Sequence, residues 1–126
     1  MSLWTHVAGI VRLDTIEMLH PQGRYSVEHA IEQAFDYPPM GSEGALSISY
    51  QRTTTGNCIA WGFVSIWGDL RDYGEDDDAQ RIVNWITNAL DRLEKIGIGT
   101  RNKAISIEVE GQPEILLGTP SEVQSE

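Results

Sequence analysis

The sequence has a single cysteine, Cys58, in 126 residues. One thiol closes no internal disulfide and holds no zinc alone, which excludes a cysteine-stapled secreted scaffold. Positive charge is also scarce: 9 Lys and Arg against 19 Asp and Glu leave a formal net charge of -10. A duplex reader gains its affinity by neutralising phosphates with Lys and Arg, so this balance argues against duplex DNA or RNA as a partner. No apolar run approaches the length of a bilayer span. The opening Met1-Ser2-Leu3-Trp4-Thr5-His6 lacks a basic segment followed by an apolar one, so no signal peptide is expected. The expectation is a soluble cytoplasmic chain with one domain over 1–118 and a polar tail at 119–126 that frays.

Chemical signatures are equally sparse. A Walker loop, a G-x-G-x-x-G, a G-x-S-x-G elbow and the paired H-x-[ST] motifs of two-histidine phosphoesterases are all missing. His6, His20 and His29 show no metal-ligand spacing, and Cys58 reads as a small core residue. Ser42, in Gly41-Ser42-Glu43-Gly44, has no histidine–aspartate partnership arguable from sequence. The acidic run Asp69–Asp78 does not follow the calcium-loop spacing; carboxylates ahead of a helix complement its dipole. No cofactor and no metal are expected.

What is present is a regular alternation of patterns. Residues 4–14 alternate, with Val7, Gly9, Val11 and Leu13 on one face and the mixed set Trp4, His6, Ala8, Ile10 and Arg12 on the other. That predicts a strand with both faces at least partly covered. Ser26 reads as an N-cap, followed at helical spacing by Val27, Ala30, Ile31, Ala34 and Phe35 and stopped by Pro38-Pro39. A loop at Gly41–Gly44 precedes a strand over 45–52 with Leu46, Ile48 and Tyr50 on one face. The turn-rich Thr53–Asn57 then predicts a hairpin into a strand over 58–70. Ala79, Ile82, Val83, Ile86, Ala89, Leu90 and Leu93 form a helical stripe with Gly97 and Gly99 as stop signals. A last strand is expected over 104–110, then a short apolar piece at Ile115–Leu117.

This order predicts an α+β fold of the ferredoxin-like, split βαβ kind. It has an antiparallel sheet with two helices on one face and a small C-terminal β extension. Such a sheet leaves its second face open, and here that face would carry Trp61, Phe63 and Trp67, too much aromatic surface to leave wet. These three are therefore expected at an interface of a homodimer or higher homo-oligomer. Open aromatic sheets of this class also stack RNA bases, but Arg52 is the one cation on the two hairpin strands, which weighs against it.

Seven of the nine basic residues are arginine: Arg12, Arg24, Arg52, Arg71, Arg81, Arg92 and Arg101. A guanidinium fork matches phosphate oxygens in pairs and its plane stacks on bases. Arg81 and Arg92 read as solvated or carboxylate-paired helix residues. Arg52 at the hairpin and Arg101 in Gly99-Thr100-Arg101-Asn102 read as loop positions suited to a small phosphorylated ligand.

With these residues in view, the chain resembles the first family of Thoeris anti-defence proteins of bacteriophages. The resemblance rests on Trp4–Asp14, on Gly41-Ser42-Glu43-Gly44-Ala45-Leu46 and on Gly68-Asp69-Leu70-Arg71-Asp72-Tyr73-Gly74, about a fifth of the chain. It implies a non-enzymatic sponge in the cytoplasm of an infected bacterium. Such a sponge binds cyclic ADP-ribose isomers, such as glycocyclic ADP-ribose, and in some members cyclic oligonucleotides, without cleaving them. The ligand then lies between or beside the subunits of a homo-oligomer. On chemical grounds the expected ligand residues are Arg52 and Arg101 for phosphates, Tyr73 for base stacking and Asn84 for polar readout, with Arg71, Arg24 and Ser42 as further candidates. Two other readings stand beside it: an acidic adaptor or inhibitor that binds a basic host protein, motivated by the Asp69–Asp78 run, and a small enzyme working through His6 or Ser42.

Overall fold

The computed structural model describes residues 3–14, 23–54, 60–71 and 78–118; at 14, 23–27, 52–54, 60–61 and 78 it describes the backbone alone. In chain order the elements are β1 (Trp4–Asp14), α1 (Gly23–Ala34), β2 (Met40–Gly41), β3 (Gly44–Ala45), β4 (Ser47–Thr54), β5 (Ala60–Arg71), α2 (Asp78–Lys95), β6 (Gly99–Val109) and β7 (Ile115–Gly118). Five strands form one sheet in the order β4-β5-β1-β6-β7, each neighbouring pair antiparallel. The protein is thus an α+β fold with a five-stranded antiparallel sheet and two helices.

Strand alternation decides what is inside. Val7, Val11 and Leu13 of β1, Val64, Ile66 and Leu70 of β5, and Ile105 and Ile107 of β6 are buried together. They meet Ile31, Ala34 and Phe35 of α1 and Ile82, Ile86, Ala89, Leu90 and Leu93 of α2 in one cluster, so both helices cover the same sheet face. Two side chains of α2 tie it to the C-terminal end of α1 and the residues that follow. The indole Nε1 of Trp85 donates to the Asp36 carbonyl at 2.9 Å, and the Trp85 ring meets Phe35 edge-on at 5.4 Å between centroids. Arg92 Nη1 donates to the Ala34 carbonyl at 3.0 Å and to Asp36 at 3.1 Å, satisfying a carbonyl that the end of α1 leaves orphaned.

The end of α2 follows from Gly97, whose φ of 92° is open to a residue without a Cβ. Ile98 N donates to the Leu93 carbonyl and Gly97 N to that of Glu94, while Leu93 and Ile98 are buried in the same cluster. Gly99, also expected as a stop signal, instead begins β6.

Several expectations need correction. The helix expected to start at Ser26 begins at Gly23, so Ser26 lies within it rather than capping it; apolar spacing marks the buried stripe, and the backbone starts its turn earlier. The loop at 41–44 is framed by the short pair β2–β3. β6 begins at Gly99, not 104, because its early residues keep pairing with Leu13 and Asp14 across a β-bulge. Arg101 is therefore a strand residue and not a loop one, as is Arg52 within β4. The second face of β1 is covered only in part, as expected: Trp4 and His6 are half-buried, while Ala8, Ile10 and Arg12 are exposed. The tail at 119–126 lies outside the described residues.

Candidate functional site

The uncovered face of the sheet is organised in rows by the strand registers. One row runs Ser47, Trp67, Ala8, Ser106, Leu116, and the next runs Ser49, Ser65, Ile10, Ala104, Gly118. Trp67, Ile10 and Leu116 are 45%, 46% and 72% exposed, and Phe63 is half-buried. Large apolar side chains standing in water along the middle of a sheet mark an interaction surface. Trp61 pairs with Thr53 at the backbone, and its side chain lies outside the described residues.

At one end of these rows stands an acidic group. His6 pairs with Asp69 on one side and Glu108 on the other. Its Nδ1 lies 2.7 Å from Asp69 Oδ1 and its Nε2 lies 3.7 Å from Glu110 Oε2. The indole of Trp4 stacks nearly parallel to the imidazole, 6.5 Å away. The hydrogen bond to Asp69 raises the His6 pKa above 6.5; desolvation opposes it, and the charges of Asp69, Glu110 and Glu108 add to the rise. Next to this group Arg71 Nη1 meets Glu43 Oε2 at 2.7 Å, and the Ser42 hydroxyl donates to the Arg71 carbonyl at 3.3 Å. Gly41 permits this: a Cβ there would lie 2.7 Å from the Arg71 nitrogen.

The opposite end is basic. Arg12 stands across from Phe63 and Gln51 on the open face. Arg52 pairs with Gly62, Gly62 with Leu13, and Leu13 with Thr100, so the positions of Arg12, Arg52 and Arg101 lie at the same end of the sheet, with that of Arg52 in the row of buried Leu13, on the helix-covered face rather than beside Arg12. From Trp4, which pairs with Arg71, to Leu13 is nine residues of β1, roughly 30 Å. The sheet therefore gathers Arg52 with Arg101, and Arg71 with Ser42, in two separate places. Asn84 is exposed on α2 and accepts from Gln80 Nε2 at 2.9 Å. Arg24 lies in the first turn of α1 with its side chain outside the described residues, as is that of Arg52. Tyr73 and the rest of 72–77 also lie outside them.

Two hollows border described residues. One, of about 510 Å³, opens between α1 and β4 beside Glu28, Glu32, Ser49 and Tyr50; the other, of about 350 Å³, is the shallow space beside Trp4, His6, Asp69 and Glu110. Among the described residues both are lined by carboxylates and neither by an arginine. Among the described residues no group of three His, Cys, Asp or Glu is placed to hold a metal ion. No helix among them is long and apolar enough to cross a membrane.

Sequence reasoning missed the His6–Asp69 pair and the row order of the open face. Parity alone places both residues on one face, but their adjacency depends on register between strands separated by a helix and a hairpin.

No family model and no curated protein sequence matches the chain. Two solved structures resemble it in shape. The aminopeptidase PepT of Bacillus cereus ATCC 10987 superposes with a TM-score of 0.52 at 14% identity, over 98% of this chain and 33% of the peptidase. A tripeptidase of Staphylococcus aureus subsp. aureus Mu50 does so with a TM-score of 0.53 at 9% identity, over the same shares. The chain spans about a third of the length of these peptidases, and at such identities the likeness is one of fold alone.

Proposed function

We propose that this chain is a non-catalytic binding protein that self-associates through its open sheet face and sequesters a cyclic ADP-ribose isomer, or a related cyclic nucleotide signal, intact. On this reading it acts in the cytoplasm of an infected bacterium, as the resemblance to the phage Thoeris anti-defence family implies. The observation that carries the reading is the open face itself: an apolar middle with Arg12 at one end, the end of the sheet to which the positions of Arg52 and Arg101 also belong. The strand–helix–strand–strand–helix–strand order and the sheet order β4-β5-β1-β6 support the ferredoxin-like, split βαβ description, with β7 as the extension.

A diphosphate approaching a chain of charge -10 meets long-range repulsion, so binding relies on local guanidinium contacts. Each charge-assisted hydrogen bond contributes roughly 1.5–3 kcal/mol, and a few of them with base stacking support tight capture. On this reading the phosphate site is completed where two copies meet. Arg52 and Arg101 take the phosphates, and Tyr73 stacks on the base.

Isothermal titration with glycocyclic ADP-ribose tests the reading, with recovery of the ligand after heat denaturation. Binding with the ligand recovered unaltered is expected. Absence of heat across temperatures, or recovery of a cleaved product, ends it.

A further inference from the structure

We infer that the open face receives a second copy of this chain in one arrangement, face to face about a two-fold axis that lies across the strands at the level of Gly9. The inference deepens the self-association proposed above and rests on that reading for its biological purpose, but its geometry stands on the registers alone. β1 is the middle strand of five, and Gly9 is the middle of its 11 residues. An axis there turns the sheet end for end while each strand faces its own counterpart.

Under that rotation the row of Ala8 lies over the partner's row of Ile10. Trp67 then faces the partner's Ser65, Ile10 faces the partner's Ala8, and Leu116 faces the partner's Gly118. In each of these columns an exposed large side chain meets a small one. This is what interdigitation of two sheets about 10 Å apart requires.

Charge selects the same arrangement. Arg12 is brought over the partner's His6, flanked by the partner's Asp69 and Glu108. The other face-to-face two-fold, parallel to the strands, puts Asp69 over the partner's Glu108, acid against acid. The five strands present a face of roughly 24 Å by 30 Å, so a pair of copies covers about 1,400 Å² in total, inside the range of stable specific interfaces. The interface is isologous, which closes a dimer and leaves the sheet edges and helices available for larger even assemblies.

The experiment is a charge swap read as mass by light scattering and sedimentation, with circular dichroism to confirm that each variant is folded. The unmodified chain is expected to be a dimer or an even multiple of it. Arg12→Glu and Glu108→Arg each set like charges against each other and are expected to weaken self-association by at least about 100-fold. Mixed one to one, the two variants place opposite charges at both ends of a shared interface, and the heterodimer is expected to return.

A monomeric parent chain, as a different partner or a lipid surface on this face would leave it, overturns the inference. So do folded variants that keep the parent's mass, or a mixture that stays monomeric. Titration of glycocyclic ADP-ribose into the same samples separates the two proposals. A charge-swappable dimer that takes up no nucleotide upholds this interface and ends the sponge reading, whereas an assembly that binds the nucleotide and keeps its mass in both variants ends this interface and leaves the sponge reading standing.

Discussion

His6 and Asp69 face each other across β1 and β5, with Nδ1 and Oδ1 2.7 Å apart, although 63 positions separate them in the chain. Their adjacency is fixed by strand register, and it makes His6 the centre of an acidic end that includes Glu108 and Glu110.

This pair predicts a pH dependence. The folded-state pKa of His6 is raised, first by its hydrogen bond to Asp69. Its stabilising effect is therefore fully present below about pH 6.5, the ordinary value, and is lost as pH rises through the raised folded value. An NMR titration should place the His6 midpoint above 6.5 and show it fall in Asp69→Asn. The melting-temperature difference between parent and Asp69→Asn should shrink as pH rises through that midpoint.

Arg92 predicts a stability effect that its helical position hides. Its guanidinium ties α2 to the Ala34 carbonyl and the Asp36 carboxylate at the end of α1. Because the side chain is 54% exposed, screening lowers the return, and Arg92→Met should cost only about 1 kcal/mol in urea unfolding. Arg81→Met, at an exposed helix position, should stay within about 0.5 kcal/mol of the parent.

Thr5 predicts a gain. It is 1% exposed, and its Oγ1 has no hydrogen-bond partner among the described residues. Thr5→Val removes a buried hydroxyl that lost its water on folding and should stabilise the protein by about 1 kcal/mol. A melting temperature below that of the parent would mean the hydroxyl has a partner after all.

Much of the fold was legible in periodicity. Val7, Val11 and Leu13, Ile105 and Ile107, and the Ile82–Leu93 stripe all lie where alternation or helical spacing placed them. Boundaries were less legible, because Gly99-Thr100-Arg101-Asn102 has the composition of a loop yet is held in β6 by pairing with β1 across a bulge. The uncovered face was readable from Phe63 and Trp67, whereas its two-ended charge was not. Arg12 and Asp69 lie on adjacent strands whose register is set by tertiary packing, not by a short turn. For the same reason the candidate arginines could be named from sequence but not grouped: Arg52 and Arg101 share one end of the sheet, and Arg71 stands at the other.

Native mass spectrometry of the chain purified after co-expression with an active TIR-domain enzyme tests capture between copies most directly. An even-numbered assembly that carries a cyclic ADP-ribose isomer of unchanged mass and releases it on denaturation is expected. A monomer without a nucleotide, or an assembly that holds only a hydrolysed product, would contradict it.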